Sequence, residues 1–367
     1  MEKMKIGVIG CGNISDIYLT NLREYANLEV VAVADLNHEK AVEKAEKYEI
    51  PRVLDVDVLL EDPTIELVLN LTIPAAHAEV SLRILEAGKH VYSEKPLAIK
   101  LEDGQKVLAK AREKGLLVSV APDTFLGGGL QTCKKLIEDG AIGEPVAATA
   151  FMLGHGPESW HPDPAFFYRE GAGPMFDMGP YYLTALIHLI GPIRRLTGSA
   201  RITSPERVII SEPKSGETIK VETPTHVAGI LDFENGAIGT IITSFDVWGA
   251  KTPFLEIYGT NGSLSVPDPN TFGGPVLVRN AGEVEWKEVS LTHGSIENSR
   301  GLGVVDMVNA LREERKPRAN GELAYHVLET MHGIHESSVK GKHYEMTSKC
   351  KQPDAMPSDS LSETMEG

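Results

Sequence analysis

Up to about residue 120, short apolar runs alternate with longer amphipathic, charged stretches. The short apolar runs at 5–9, 29–34, 67–71, 90–92 and 117–120 read as buried strands of a parallel sheet. Between them the spacing predicts helices at 14–26, 39–48, 78–87 and 102–114. Gly88 and Gly115 stand where helix C-termini favour glycine. This alternation predicts a doubly wound α/β domain over residues 1–122.

Beyond residue 143 the pattern changes to successive strands. They are predicted at 146–152, 194–202, 226–233, 237–245, 254–258, 263–266, 276–279 and 284–291. Turn chemistry separates several of them, as in Glu234-Asn235-Gly236 and Thr260-Asn261-Gly262, and this argues for a mostly antiparallel sheet. Helix patterns at 175–189, 303–313 and 323–339 complete an α+β domain over 123–346. The polar, proline-containing stretch 347–367 reads as a disordered tail.

Composition narrows the functional classes. At 42% hydrophobic and 24% charged the chain is ordinary for a globular protein, and it has no apolar run long enough to span a bilayer. The N-terminus lacks a signal-peptide pattern, which predicts a cytoplasmic protein. The net charge of −16 disfavours nucleic acid and anionic membrane as partners. Cys11, Cys133 and Cys350 are far apart and form neither a disulfide framework nor a zinc site, and no metal is expected.

The turn Gly10-Cys11-Gly12-Asn13-Ile14-Ser15 follows the first strand and opens the first helix. Gly10 permits a tight turn, Gly12 lets main chain approach a pyrophosphate, and the helix N-terminus at Asn13 and Ile14 offers N–H groups to it. Ser15 stands in the third glycine position and is small enough for close packing. Asp35 ends the second strand, where a carboxylate accepts both adenosine ribose hydroxyls and repels a 2′-phosphate; this predicts NAD over NADP. The competing role for Asp35 is to cap the following helix. Thr72, Pro74 and His77 follow the third strand, on the side that faces a cofactor in such sheets, although His77 could be an ordinary first-turn residue.

Ser93-Glu94-Lys95-Pro96 projects Lys95 from another strand's carboxyl end. Downstream, Asp177 and Tyr181 are spaced i, i+4 and share one helix face, with Gly179 between them leaving room for another molecule. Just before that helix, Trp160 offers an apolar face for a sugar ring and His161 a polar edge. Tyr168 is a further substrate candidate, and a rigid connecting loop is the equal alternative.

Taken in order, GCGNIS, Asp35, the Thr72–His77 segment, Glu94-Lys95-Pro96 and Asp177-Met178-Gly179-Pro180-Tyr181 resemble the glucose–fructose oxidoreductase / inositol dehydrogenase (Gfo/Idh/MocA) family. The chain has tyrosine where many members have the histidine of Asp-x-Gly-x-His, and its Pro122–Leu126 segment lacks the commoner Asn and Arg. The resemblance implies an N-terminal Rossmann domain and a C-terminal domain whose large open sheet commonly builds homodimers or tetramers. It also implies that Glu94 and Lys95 stand at the cofactor, that Lys95 is catalytic, and that Asp177 and Tyr181 line the substrate site. The activity it implies is hydride transfer between NAD and a secondary hydroxyl or ketone of a sugar or polyol. Two alternatives remain at this point: an enzyme that retains its NAD and transiently oxidises a glycoside for elimination or hydrolysis, and a non-catalytic NAD-binding sensor.

Overall fold

The computed structural model describes residues 3–358. Two compact units emerge. The first comprises residues 3–128, 292–325 and 353–358, and the second 129–291 and 326–352. No described helix is long and apolar enough to cross a membrane.

In the first unit, β1 (Met4–Ile9), α1 (Ser15–Leu22), β2 (Leu28–Ala34), α2 (His38–Tyr48), α3 (Val56–Glu61), β3 (Leu67–Asn70), α4 (His77–Glu86), β4 (His90–Ser93), α5 (Leu101–Lys114) and β5 (Val118–Val120) follow the predicted alternation, except that α3 is a helix the periodicity does not predict. The strands pair in the order β2-β1-β3-β4-β5, all parallel. A single parallel bridge from Val33 to Val53 marks one more position outside β2. With that vestige the order is that of a Rossmann sheet, and the order reverses between β1 and β3. Every residue of β3 is buried, as befits a strand covered on both faces. Asn37 starts α2 by accepting the Glu39 N–H, and Gly115 ends α5 in the left-handed conformation.

The second unit is built on α6 (Gly128–Glu138), β6 (Pro145–Leu153), α7 (Gly173–Ile190), β7 (Ile193–Arg201), a separate hairpin of β8 (Glu206–Val208) and β9 (Thr218–Lys220), then β10 (His226–Phe233), β11 (Ile238–Ser244), β12 (Leu255–Gly259), β13 (Gly262–Val266), β14 (Val276–Asn280) and β15 (Lys287–Val289). Two helices follow, α8 (Leu302–Arg312) in the first unit and α9 (Gly321–Lys340), which begins in the first and continues in the second; β16 (Tyr344–Glu345) comes last. The nine-stranded sheet runs β15-β14-β13-β12-β6-β11-β10-β7-β16, and every adjacent pair is antiparallel except β6/β11.

The expected boundary at 122 is not where the units part. Asp123 accepts the N–H groups of Gly301 (2.8 Å) and Gly303 (3.0 Å), and so caps α8. Val304, Val305, Met307 and Val308 of α8 lie in one apolar cluster with Ile6, Val8, Tyr18 and Leu22. An amphipathic pattern shows that a helix buries one face, but not which sheet receives it. The disorder expected of 347–367 does not extend to its first part. Thr347 and Ser348 donate to Glu329, Arg318 donates to the carbonyls of Asp354 and Ala355, and His293 Nε2 lies 3.0 Å from the Met356 oxygen. The remainder, 359–367, lies outside the described residues.

Candidate active site

The first unit builds the nucleotide end of the site from main chain. Gly10 has φ +103°, and a β-carbon there would lie 2.6 Å from the Leu71 carbonyl, so only glycine lets this turn cross the end of β3. At Gly12 a β-carbon would meet nothing within 4 Å, so the turn has open space where a pyrophosphate needs it. Ser15 is fully buried, and its Oγ donates to the Gly12 oxygen at 2.6 Å. The N-terminus of α1 has no side-chain cap at Ile14, which suits N–H groups meant for an anion.

Asp35 is not the cap of α2, since Asn37 fills that role. Its Oδ2 accepts the Cys11 N–H at 2.7 Å and its Oδ1 the Asn37 N–H at 2.8 Å. The carboxylate thereby ties the end of β2 to the glycine turn, and each oxygen keeps a further lone pair for a ribose hydroxyl. Burial, then the charge of Asp35, pushes the Cys11 thiol up to about 12, so this cysteine stays protonated.

Two residues missed by the sequence reading flank this turn. Leu36 is 101% exposed and Ile73 68% exposed. Each follows the carboxyl end of a strand, β2 or β3. Large apolar side chains left bare at a strand's carboxyl end are suited to a flat aromatic ring such as adenine. Their signal in the sequence was an apolar residue directly after Asp35 and directly before Pro74.

Below the turn lies a polar scaffold. Buried Asn70 donates to the His77 carbonyl (2.9 Å) and to Ser81 Oγ (3.0 Å), and accepts from Thr72 Oγ1 (2.6 Å). His77 was expected at the cofactor, but it is only 1% exposed. Its Nδ1 lies 2.7 Å from the Pro96 carbonyl and its Nε2 3.0 Å from that of Thr72. Burial pushes its pKa down, against the pull of these two carbonyls. Pro74 opens the short 3₁₀ turn Pro74–Ala76 ahead of α4.

Lys95 is the one side chain not buried in the run 91–98. Glu94 beside it accepts the Tyr18 hydroxyl at 2.7 Å and the Lys95 N–H at 3.0 Å, so it props the lysine turn from within. Burial and the charge of Glu94 push the Tyr18 hydroxyl well up, which keeps it a donor.

In the second unit, the described side chains of α7 are buried from Gly173 to Ile190 except those of Asp177 and Met178. A carboxylate thus marks the one opening on an otherwise buried helix, and Tyr181, nearly buried, follows one turn later on the same face. Gly179 does not leave room for a ligand. A β-carbon there would lie 2.8 Å from Met175 Sδ and 3.4 Å from Met331 Sδ, so the glycine serves helix packing.

Trp160 is 67% exposed and stands edge-on to His161 at 5.4 Å and to Phe167 at 6.2 Å, and its surface is available to a ring. His161 Nδ1 accepts the Asp163 N–H at 3.0 Å. Tyr168 does not share this surface. It is fully buried in a cluster with Ile209, Ile219, Val221 and Phe245, beneath the Arg207 guanidinium. Arg207 bridges the buried carboxylate of Glu158, at 3.2 Å, and the partly buried one of Asp246, and thereby anchors the loop that carries Trp160. Sequence reasoning missed this trio because its members lie far apart along the chain.

The chain matches the family model described as "Oxidoreductase family, NAD-binding Rossmann fold" over residues 4–122 and the GFO/IDH/MocA C-terminal domain over residues 130–265. It is 34% identical to the dTDP-3,4-didehydro-2,6-dideoxy-alpha-D-glucose 3-reductase of Saccharopolyspora spinosa over 68% of this chain and 73% of that one. It is 26% identical to the myo-inositol 2-dehydrogenase of Thermotoga maritima over 71% of this chain and 74% of that one. Among solved structures, levoglucosan dehydrogenase in complex with NADH shares the fold with a TM-score of 0.82 at 22% identity, covering 95% of this chain and all of the other.

Proposed function

The chain belongs to the GFO/IDH/MocA family of nicotinamide-binding dehydrogenases and reductases, and from that premise we propose that it transfers hydride between NAD and a secondary hydroxyl or ketone of a sugar, polyol or close derivative. The observation that carries this reading is Lys95: the one unburied side chain of its run, at the end of β4, two strands from the glycine turn, with its N–H fixed by Glu94. The relatives named above, by their names a sugar-nucleotide reductase and an inositol dehydrogenase, support the substrate class.

Bound NAD supplies the hydride acceptor. The chain's own residues handle the proton and the charge. Tyr181 takes the hydroxyl proton as general base, and Lys95 steadies the alkoxide as it forms. Asp177 accepts a hydrogen bond from a neighbouring substrate hydroxyl. Gly10, Gly12, Asn13 and Ile14 receive the pyrophosphate, Asp35 the ribose, and Thr72, Pro74 and Glu94 frame the cofactor side. Trp160 and His161 meet the sugar. Leu36 directly after Asp35 brings no positive charge for a 2′-phosphate, which supports NAD over NADP. Ile230 and Ile238, exposed on one face of the nine-stranded sheet, support association into a homodimer or tetramer through that sheet.

The test follows reduced-nicotinamide absorbance while the protein meets NAD or NADP and a panel of inositols, sugars, anhydrosugars and glycosides. Sustained growth with NAD and one compound is expected. Silence across the panel, or a clear preference for NADP, overturns the substrate class or the cofactor assignment respectively.

A further inference from the structure

His77 occupies a position where a cofactor contact is expected, yet both of its ring nitrogens are directed at protein main chain. The two carbonyls belong to different loops. Thr72 lies in the loop after β3 and Pro96 in the turn after β4, and β3 and β4 are neighbours in the sheet. One imidazole therefore lies between the loop beside the glycine turn and the turn that bears Lys95. Its own backbone is fixed as well, because Asn70 holds the His77 carbonyl while also holding Thr72.

The consequence falls on Lys95. On one side its N–H is held by Glu94; on the other the next carbonyl, that of Pro96, is held by His77. A lysine side chain has four rotatable carbon–carbon bonds and cannot place its ammonium unless the main chain beneath it is fixed. We infer that His77 is a positioning residue for the reaction: its ring holds the Pro96 carbonyl while Asn70 holds its own carbonyl, so it fixes the Lys95 turn and acts through the lysine, without touching cofactor or substrate. This inference rests on the reading of Lys95 as the catalytic lysine.

The chemistry of the ring makes the inference specific. A neutral imidazole has one N–H and satisfies only one of the two carbonyls. Burial favours the neutral ring, and the charged groups that bear on it are Glu94, which favours the cation, and Lys95, which opposes it. The shorter contact, 2.7 Å to Pro96 against 3.0 Å to Thr72, favours the tautomer with its proton on Nδ1, on the lysine side. An asparagine amide reaches the Nδ1 position of a histidine, whereas a glutamine amide reaches the Nε2 position. Asn and Gln at 77 therefore separate the two contacts.

The experiment compares His77→Leu, His77→Asn, His77→Gln, Lys95→Met and the double variant Lys95→Met/His77→Leu in the full chain. It reads kcat with the compound turned over in the panel, and NADH affinity by nicotinamide fluorescence. His77→Leu and His77→Gln are expected to lose about 10- to 100-fold in kcat with unchanged NADH affinity, the scale of a small misplacement of a catalytic group. His77→Asn should recover most of the loss. The double variant should be no slower than Lys95→Met, because two residues that act as one unit are not additive. Weakened NADH binding with intact kcat in His77→Leu, equal rescue by Gln and Asn, or additive losses in the double variant would each overturn the inference. Lys95→Met with wild-type turnover would instead overturn the lysine's role itself, a failure read from a different variant.

Discussion

The turn that carries Lys95 and the helix that carries Asp177 expose their polar residues in the same way and are held in opposite ways. In both, a charged side chain interrupts a buried run: Lys95 within 91–98, and Asp177, with Met178 beside it, within Gly173–Ile190. The lysine turn is fixed by directional bonds from Tyr18, Glu94, His77 and Asn70. The helix is fixed by apolar packing, with Met175 and Met331 closed over Gly179. Hydrogen bonds specify position, because a displaced donor loses its acceptor. Packing supplies bulk stability and tolerates volume-conserving exchange. The first region should therefore register damage as lost turnover, and the second as lost stability.

The largest effect expected on the turn side is that of Lys95→Ala. It should lower turnover by several orders of magnitude and leave thermal unfolding close to that of the parent, because the lysine is not part of the core. Near-normal turnover would break the comparison at its origin. On the helix side, Met331→Ala should cost about 2–5 kcal/mol of stability through the cavity left beside Gly179, with little change in KM. A large change in KM with intact stability would show that α7 is not held by packing.

Acid offers a further test, in which two histidines of the second unit contribute. His326 and His335, both on α9, are held down to about 4 by burial, against an ordinary value of 6.5. His326 Nε2 also accepts the Ile193 N–H at 3.1 Å, a bond that a proton on that nitrogen would end. Between those two pH values the unfolded chain binds more protons than the folded one, so stability is fully present above 6.5 and falls as the pH drops toward 4. Thermal unfolding followed from pH 7 to pH 4.5 should show this decline, and His335→Gln should flatten it. A decline of the same size in that variant would exclude His335 as a source.

The smallest change sharpens the account of the glycine turn. Gly12→Ala should leave the unfolding temperature nearly unchanged, because a β-carbon there meets nothing within 4 Å, yet it should weaken NAD binding. Gly10→Ala should damage both, because its β-carbon would strike the Leu71 main chain. Equal behaviour of the two variants would remove the distinction between a structural and a ligand-facing glycine.

Much of this molecule is written locally in its sequence. Short apolar runs alternating with amphipathic stretches determine the parallel sheet, and the Gly10–Ser15 turn with Asp35 beyond it determines the dinucleotide end. The i, i+4 spacing places Asp177 and Tyr181 on one face. All of these depend on neighbours within a few turns or strands, where φ/ψ preference and periodicity act. What only the tertiary structure decided involves partners distant along the chain. It assigned α8 to the first unit through Asp123, made β6 and β11 a parallel pair, withdrew Tyr168 and Gly179 from the ligand, and turned both nitrogens of His77 toward main chain. Periodicity tells a residue that it will be buried. Which group it then meets is set when separate elements pack together, and at this site those meetings determine which polar residues face a ligand and which hold them in place.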